Sequence, residues 1–312
     1  MKMNWLSTKR ILSETLKEWR EDNATNVAAA LAYYAIFSLS PLLIIVALVL
    51  GVVIGSEDAQ GQVLEGLQSV LGDQGAGTLE AALEGKEAGP SAGLVSGAIW
   101  FAVVFWGVSG LFAQLQKALN IIWEVRLQPG ASPLIIVKNR LLSFSVVMVA
   151  SALIVTSTII NTALADVDVG SPLILRPLQF LISLTVITLL FAAVFKILPD
   201  VIIAWGDVWV GALFTALLFM FGQVIVGLYI SNTNIGSVYG AAGSLTIILV
   251  WIYYSAQIFL FGAEFTEVWA RYHGANIEPD ADAEWINPEQ AARERRNAKQ
   301  FKEQLEQDLA EI

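Results

Sequence analysis

From residue 23 onward the chain alternates long apolar runs with short charged connections. Five stretches carry no Asp, Glu, Lys or Arg: 23–56, 88–116, 141–165, 177–195 and 208–263. A bilayer core takes about 20 apolar residues per helix, so each stretch is long enough to cross one. The last is too long for a single crossing and contains "SNTNIGSVYGAAGS" (231–244), a polar, Gly-rich turn signal that divides it. The pattern predicts an all-α fold, a polytopic membrane bundle of six transmembrane helices at about 28–52, 93–116, 141–163, 177–197, 208–230 and 243–264.

Three segments lie outside these spans. In residues 1–22, Trp5, Leu12, Leu16 and Trp19 recur at helical spacing among Lys and Glu. This predicts an amphipathic helix on the inner surface with its tryptophans at headgroup level, or a short solvated helix leading into the bundle. The outer loop 56–92 places Val63, Leu64, Leu67, Val70, Leu71, Leu79 and Leu83 at helical intervals, which suits one or two amphipathic helices that cap the bundle or handle substrate. The third segment, 273–312, is an acidic cytoplasmic tail ending in a helix. Asn287 can cap that helix, Pro288 suits its first position, and Phe301, Leu305 and Leu309 recur every four residues. The membrane domain is thus 23–272.

Composition agrees with the pattern: 56% of residues are hydrophobic, 15% are charged and the mean hydropathy is +0.63, which places the chain in the membrane class. Orientation follows from Lys and Arg, which cytoplasmic loops retain. With the N-terminus inside, only Lys86 and Arg176 of the 18 basic residues fall outside, so both termini are expected in the cytoplasm. The net charge of −10 is compatible, because acids count little in that rule and many sit in the loop 56–92 and the tail. The first apolar run is far longer than the core of a cleavable signal peptide, so none is expected. The chain has no cysteine and a single histidine, His273. These counts exclude disulfides, thiolate metal sites and histidine-rich metal centres, and no cofactor or metal is expected.

The polar residues inside the spans are the candidate chemistry. A polar group in hydrocarbon must find a partner, so it faces the bundle or a cavity. Tyr34, Ser38 and Pro41 share one face of the first span, and Pro41 bends the helix because it cannot donate to the Phe37 carbonyl. Gln114 lies near the inner end of span two, Gln223 in the outer half of span five, and Tyr253 and Gln257 in the middle of span six. The candidate pathway comprises Tyr34, Ser38, Pro41, Gln114, Gln223, Tyr239, Tyr253, Gln257 and Glu264. Glu264 stands at its cytoplasmic mouth, where Lys117 or Lys196 can pair with it. The same residues also read as structural hydrogen-bonding glue between helices. No span centre holds an Asp, Glu, Lys or Arg, which argues against an ion relay on buried carboxylates and against a voltage sensor. No catalytic residue is apparent.

Four blocks, "AAALAYYAIFSLSPLL" (28–43), "ALNIIWEV" (118–125), "LPDVIIAWGDVWVGAL" (198–213) and "VYGAAGSLTIILVWIYYSAQIFLFGAE" (238–264), resemble the YihY/virulence factor BrkB family of bacterial inner-membrane proteins. The similarity extends over about residues 22–272. It implies a six-helix membrane protein in the bacterial inner membrane, with an activity not settled for the family, some members of which carry an older label, ribonuclease BN. The family's recurring positions map to Asp22, Tyr33, Ser38, Pro41, Asn120, Pro199, Trp205, Gly211, Tyr239, Gly240, Trp251, Gly262 and Glu264.

Two functions compete. One is a transporter or translocator of a lipid-like or other amphipathic envelope molecule, through a cavity lined by spans one, five and six. The other is a non-transporting scaffold for envelope complexes. Ribonuclease activity is disfavoured: Glu124, Asp200, Asp207 and Glu264 occur singly, and no basic surface suits RNA. The expected partners are membrane lipids, with a second copy or envelope proteins as further possibilities, and no nucleic acid. No enzymatic activity is expected.

Overall fold

The computed structural model describes residues 5–38, 110–130, many positions of 134–157, then 172–232, 241–273 and 277–287, with isolated positions beyond. Pro41, the loop 56–92, Tyr239 and the tail helix expected around 301–309 lie outside the described residues. The elements are α1 (Trp5–Glu21), α2 (Ala24–Ser38), α3 (110–122), β1 (Val125–Leu127), α4 (Phe144–Leu153), α5 (Pro172–Ile197), β2 (Val201–Ile202), α6 (Trp205–Asn232), α7 (Ala241–Tyr272), β3 (Glu278–Pro279) and β4 (Ala283–Trp285). Among the described residues, three helices are long and apolar enough to cross a membrane: Arg176–Ile197, Trp205–Leu228 and Thr246–Tyr272. They coincide with the fourth, fifth and sixth expected spans. The chain forms two compact units. One holds Met1–Tyr33, Gln114–Asn139 and Ile187–Ile312; the other holds Tyr34–Ala113 and Arg140–Val186.

In the first unit α6 and α7 interlock through small residues. A Cβ added to Gly211 would lie 1.8 Å from Thr266 Oγ1, and one added to Gly262 would lie 2.0 Å from Thr215 Oγ1. Only a hydrogen at these two positions lets each threonine of one helix press on the backbone of the other. Each threonine also donates its hydroxyl to the carbonyl of the glycine four residues earlier on its own helix, at 2.7 Å in both cases. The polar atoms are thereby satisfied inside an otherwise apolar contact, as helix packing in lipid requires. Ala212, Ala216 and Ala263 are buried beside them.

α1 packs along α7. Ile11 is buried with Phe265 and Val268, against Val210 and Phe214 of α6 and Trp269 and Tyr272 of α7. The buried side of α1 is therefore the Ile11–Thr15 face. Leu12 and Leu16, expected to share the apolar stripe with the tryptophans, are exposed, and Trp19 is half-buried. A two-residue turn, Asp22–Asn23, separates α1 from α2. Asn23 adopts a left-handed φ of 52°, which asparagine tolerates, and its carbonyl accepts the first N–H bonds of α2 from Asn26 and Val27. Ala28 and Ala32 of α2 are buried.

The segment after α7 departs from a purely helical expectation. β4 pairs antiparallel with β1, placing Val125 opposite Trp285 and Leu127 opposite Ala283, and β3 pairs with β2, placing Val201 opposite Pro279. An Arg126–Glu284 ion pair at 2.9 Å crosses the first ribbon. The start of the tail is thus fastened to two interhelical connections. Strands of two or three residues carry no alternation long enough to be recognised in sequence.

Candidate functional site

The αL turn at Asn23 leaves Asp22 at the end of α1, against the last turns of α7. There its carboxyl hydrogen-bonds the carboxyl of Glu264. Glu264 is 1% exposed, among the largest fully buried side chains of the chain. Two carboxylates cannot hydrogen-bond each other, since an ionised carboxylate only accepts. The contact requires a proton on one of them. Around the pair stand Glu18 of α1 and Glu267 and Arg271 of α7. Arg271 grips Glu267 through both ends of its guanidinium, Nε lying 2.9 Å from Oε1 and Nη2 bonding Oε2, and its Nη1 lies 3.3 Å from Glu18 Oε1. Arg271 thus holds Glu267 and Glu18 beside the Asp22–Glu264 pair at the α1–α7 junction.

Burial raises the Asp22 carboxyl from 3.8 to about 6. The hydrogen bond to Glu264 pulls it down, Glu267 pushes it up, and Arg271 pulls it down. Because the folded pKa is the higher one, the native state keeps a proton that the unfolded chain sheds near 3.8. The stability this proton contributes is complete below that pH and is lost as pH rises through about 6.

A second polar node joins two connections of the same unit. Asp200 is buried and accepts from Gln116 Nε2 at 2.9 Å and from Asn120 Nδ2 at 2.7 Å, while its own N–H donates to Asn120 Oδ1 at 2.9 Å. The Asp200 carbonyl accepts from the N–H of Asp280, which ties the tail to the same point. Asn120 clamps Asp200 from both sides, so Asp200 has a structural role.

The candidate residues divide between the two units. Tyr253, Gln257 and Glu264 all lie on α7 and, at 100° per residue, project within one narrow arc of it. Gln257 is half-buried and its Oε1 is buried without a hydrogen-bond partner, as is the Ser255 hydroxyl. Gln114 is half-buried at the start of the first unit's share of α3, whereas Gln223 on α6 is exposed. Tyr34 and Ser38 belong to the second unit, where Tyr34 is exposed, Ser38 is buried, and the Tyr34 ring lies 3.9 Å from the Cβ position of Gly110. The expected partner of Glu264 is corrected. Its carboxyl meets Asp22, while Lys196 donates to the Ile203 carbonyl and sits over the Trp205 ring, and Lys117 is exposed. Buried Glu264 and half-buried Asp22 can satisfy each other with one proton, which removes the need for a lysine.

Sequence reasoning passed over the acid pair and the Asp200 clamp as sites. The signal for both was present: Asp22 and Glu264 are both among the recurring positions of the family resemblance, and Asn120 and Asp200 lie inside two of its four blocks.

The family model for virulence factor BrkB matches residues 15–286, which takes in the second half of α1, all three long spans and both strand pairs. The chain belongs to the virulence factor BrkB family. Similar proteins include a "UPF0761 membrane protein" of Tolumonas auensis, 32% identical over 160 residues, covering 50% of this chain and 52% of the relative. Another, from Pseudomonas paraeruginosa, is 31% identical over 170 residues, covering 53% of this chain and 40% of the relative. A third, from Ralstonia nicotianae, is 28% identical over 153 residues, covering 48% and 34%. The matched region spans about half the length or less of these relatives. No solved structure matches the chain. The BrkB resemblance read from the four blocks is thus shown, and the chain is a membrane protein of that family.

Proposed function

We propose that this chain is a six-span protein of the bacterial inner membrane, with both termini cytoplasmic, that moves a lipid-like or other amphipathic envelope molecule across the bilayer. The observation that carries the reading is the middle of α7, where the Gln257 amide oxygen and the Ser255 hydroxyl are buried without hydrogen-bond partners. Within a span such atoms cost free energy unless water or a ligand reaches them. They are uncharged, which suits the polar part of an amphiphile better than a bare ion. The further candidates named from the sequence are Tyr34, Ser38, Pro41, Gln114, Tyr239 and Tyr253. Gln223 is the weakest candidate, being exposed on α6. The partners are membrane lipids, and the cycle contains no enzymatic step: Asp200 is engaged by Asn120 and Gln116 and is not available as a hydrolytic base.

The test is reconstitution in liposomes carrying a fluorescent lipid analogue, with exchange between leaflets followed by quenching from one side. Wild type is expected to accelerate exchange, and Gln257→Leu to abolish the acceleration while keeping the melting temperature. A folded, monodisperse wild type that exchanges no amphiphile faster than empty liposomes supports the scaffold reading instead.

A further inference from the structure

The Asp22–Glu264 junction is distinct from the mid-span atoms that motivate transport, and it has its own chemistry. Glu264 is 1% exposed, and its Oε1 has no N–H or O–H partner from the rest of the protein. A carboxylate oxygen so buried is among the costliest groups to leave unsatisfied. The group beside it is a second carboxyl, which can donate only when the pair holds a proton. A metal ion is the alternative ligand for clustered acids. Among the described residues, however, no group of three or more His, Cys, Asp or Glu side chains is arranged to hold one. The ligand that fits is therefore H⁺.

We propose that the Asp22–Glu264 carboxyl pair is a proton-binding site, whose one bound proton fastens α1 to α7 and whose release lets α1 lift away. In the closed state one carboxyl donates to the other. On deprotonation the proton passes to solvent, the hydrogen bond is lost, and two adjacent negative charges face each other in a buried contact. The surroundings reinforce this sign. From α1 the pair meets Glu18 and Glu21, and from α7 it meets Glu267 and the single cation Arg271. α2, which starts beside Asp22, has no charged residue, and the only charged residue of α6, Asp207, faces His273. One guanidinium, already gripping Glu267, cannot neutralise the extra charge. α1 is joined to α2 by the two-residue turn Asp22–Asn23, so freeing its docked face does not require unfolding a longer linker.

The absence of cysteine permits a direct test on the full chain in lipid nanodiscs. Thr15, fully buried on the docked face of α1, and Ser13, exposed on the same helix, are replaced singly by cysteine. Maleimide labelling is measured from about pH 4 to 10, the interval from ordinary carboxyl to lysine titration. Taking the ratio of Thr15→Cys to Ser13→Cys rates cancels the titration of the thiol itself. Opening controlled by one proton is expected to raise this ratio by about tenfold per pH unit above the transition until it levels off. In the Glu264→Gln and Asp22→Asn backgrounds the ratio is expected to stay low and flat, because either amide donates without a titrating proton. Infrared spectra of the cysteine-free protein at neutral pH are expected to show the carbonyl stretch of an undissociated acid, absent from Glu264→Gln. A flat ratio in the wild-type background, the same rise retained in both amide variants, or no undissociated-acid band in wild type overturns the proposal. None of these readouts depends on cargo, so failure of the transport reading leaves them unaffected.

Discussion

The two halves of α7 handle polarity in opposite ways. Toward Tyr272 it is packed on both sides: Gly262 and Thr266 interlock with Thr215 and Gly211, Phe265 and Val268 hold Ile11, and Arg271 ties Glu267 to Glu18. Around Ser255 and Gln257 the helix is only half-buried, and two polar atoms stand without partners. Charge is thus concentrated where the protein supplies partners from α1, and uncharged polarity is left open where it does not. A helix needs a rigid end to hold an unsatisfied middle in place, since orphan polar atoms persist only when the surrounding packing fixes them.

The largest effect is expected from breaking the charged end. Arg271→Met keeps the length and apolar stem of the side chain but removes the only cation among four carboxyls. All three partners of this ion network are mostly buried, with side-chain exposures of 15% for Arg271, 12% for Glu18 and 11% for Glu267. Removing one member of such a network costs about 3 kcal/mol or more, because the opposite charges stay behind. Thermal unfolding of the purified protein should show this loss, and it should shrink at low pH, where the carboxyls take up protons. A melting temperature unchanged at neutral pH would mean that α1 is held by the Ile11 contact alone.

The next effect separates the packed from the open parts of α6 and α7. Gly262→Ala forces a methyl against Thr215, and overpacking of this kind costs about 1–3 kcal/mol. Gly227, on α6, has nothing within 4 Å of its Cβ position. Gly227→Ala should therefore be neutral or stabilising by up to about 1 kcal/mol, since glycine weakens a helix interior. Equal losses at both positions, read from the same melts, would show that the interlock has no special weight.

Much of this was legible in the sequence and some was not, for identifiable reasons. α5, α6 and α7 follow from uninterrupted apolar runs. The direction a residue faces was less readable, because α6 is apolar all round and no polar stripe shows which side Gln223 takes. On α1 the face that packs on α7 is set by Ile11 and Thr15, which the tryptophan-led stripe does not contain. The acid pair joins the two ends of the chain, and each acid taken singly reads as an ordinary charge at a helix end. The pairing of the tail with β1 and β2 rests on strands too short to leave a pattern.

The smallest expected change in stability is the most discriminating. Gln257→Leu deletes the unpartnered amide oxygen and fills its place with hydrocarbon. If that oxygen is satisfied in the membrane only by water or by cargo, its removal relieves a desolvation cost, and the melting temperature should stay the same or rise by the equivalent of about 1 kcal/mol or less. If instead the amide bonds a neighbouring helix, the substitution leaves that partner unsatisfied and costs about 1–3 kcal/mol. The two readings of the mid-span polar residues, path or glue, therefore differ in sign at this position. Ser38→Leu is the companion measurement in the second unit. Ser38 is 2% exposed, so the larger side chain should destabilise by overpacking whichever reading holds. A loss at Gln257 as large as that at Ser38 would erase the contrast between the two halves of α7 and make the middle of the helix as fully partnered as its end.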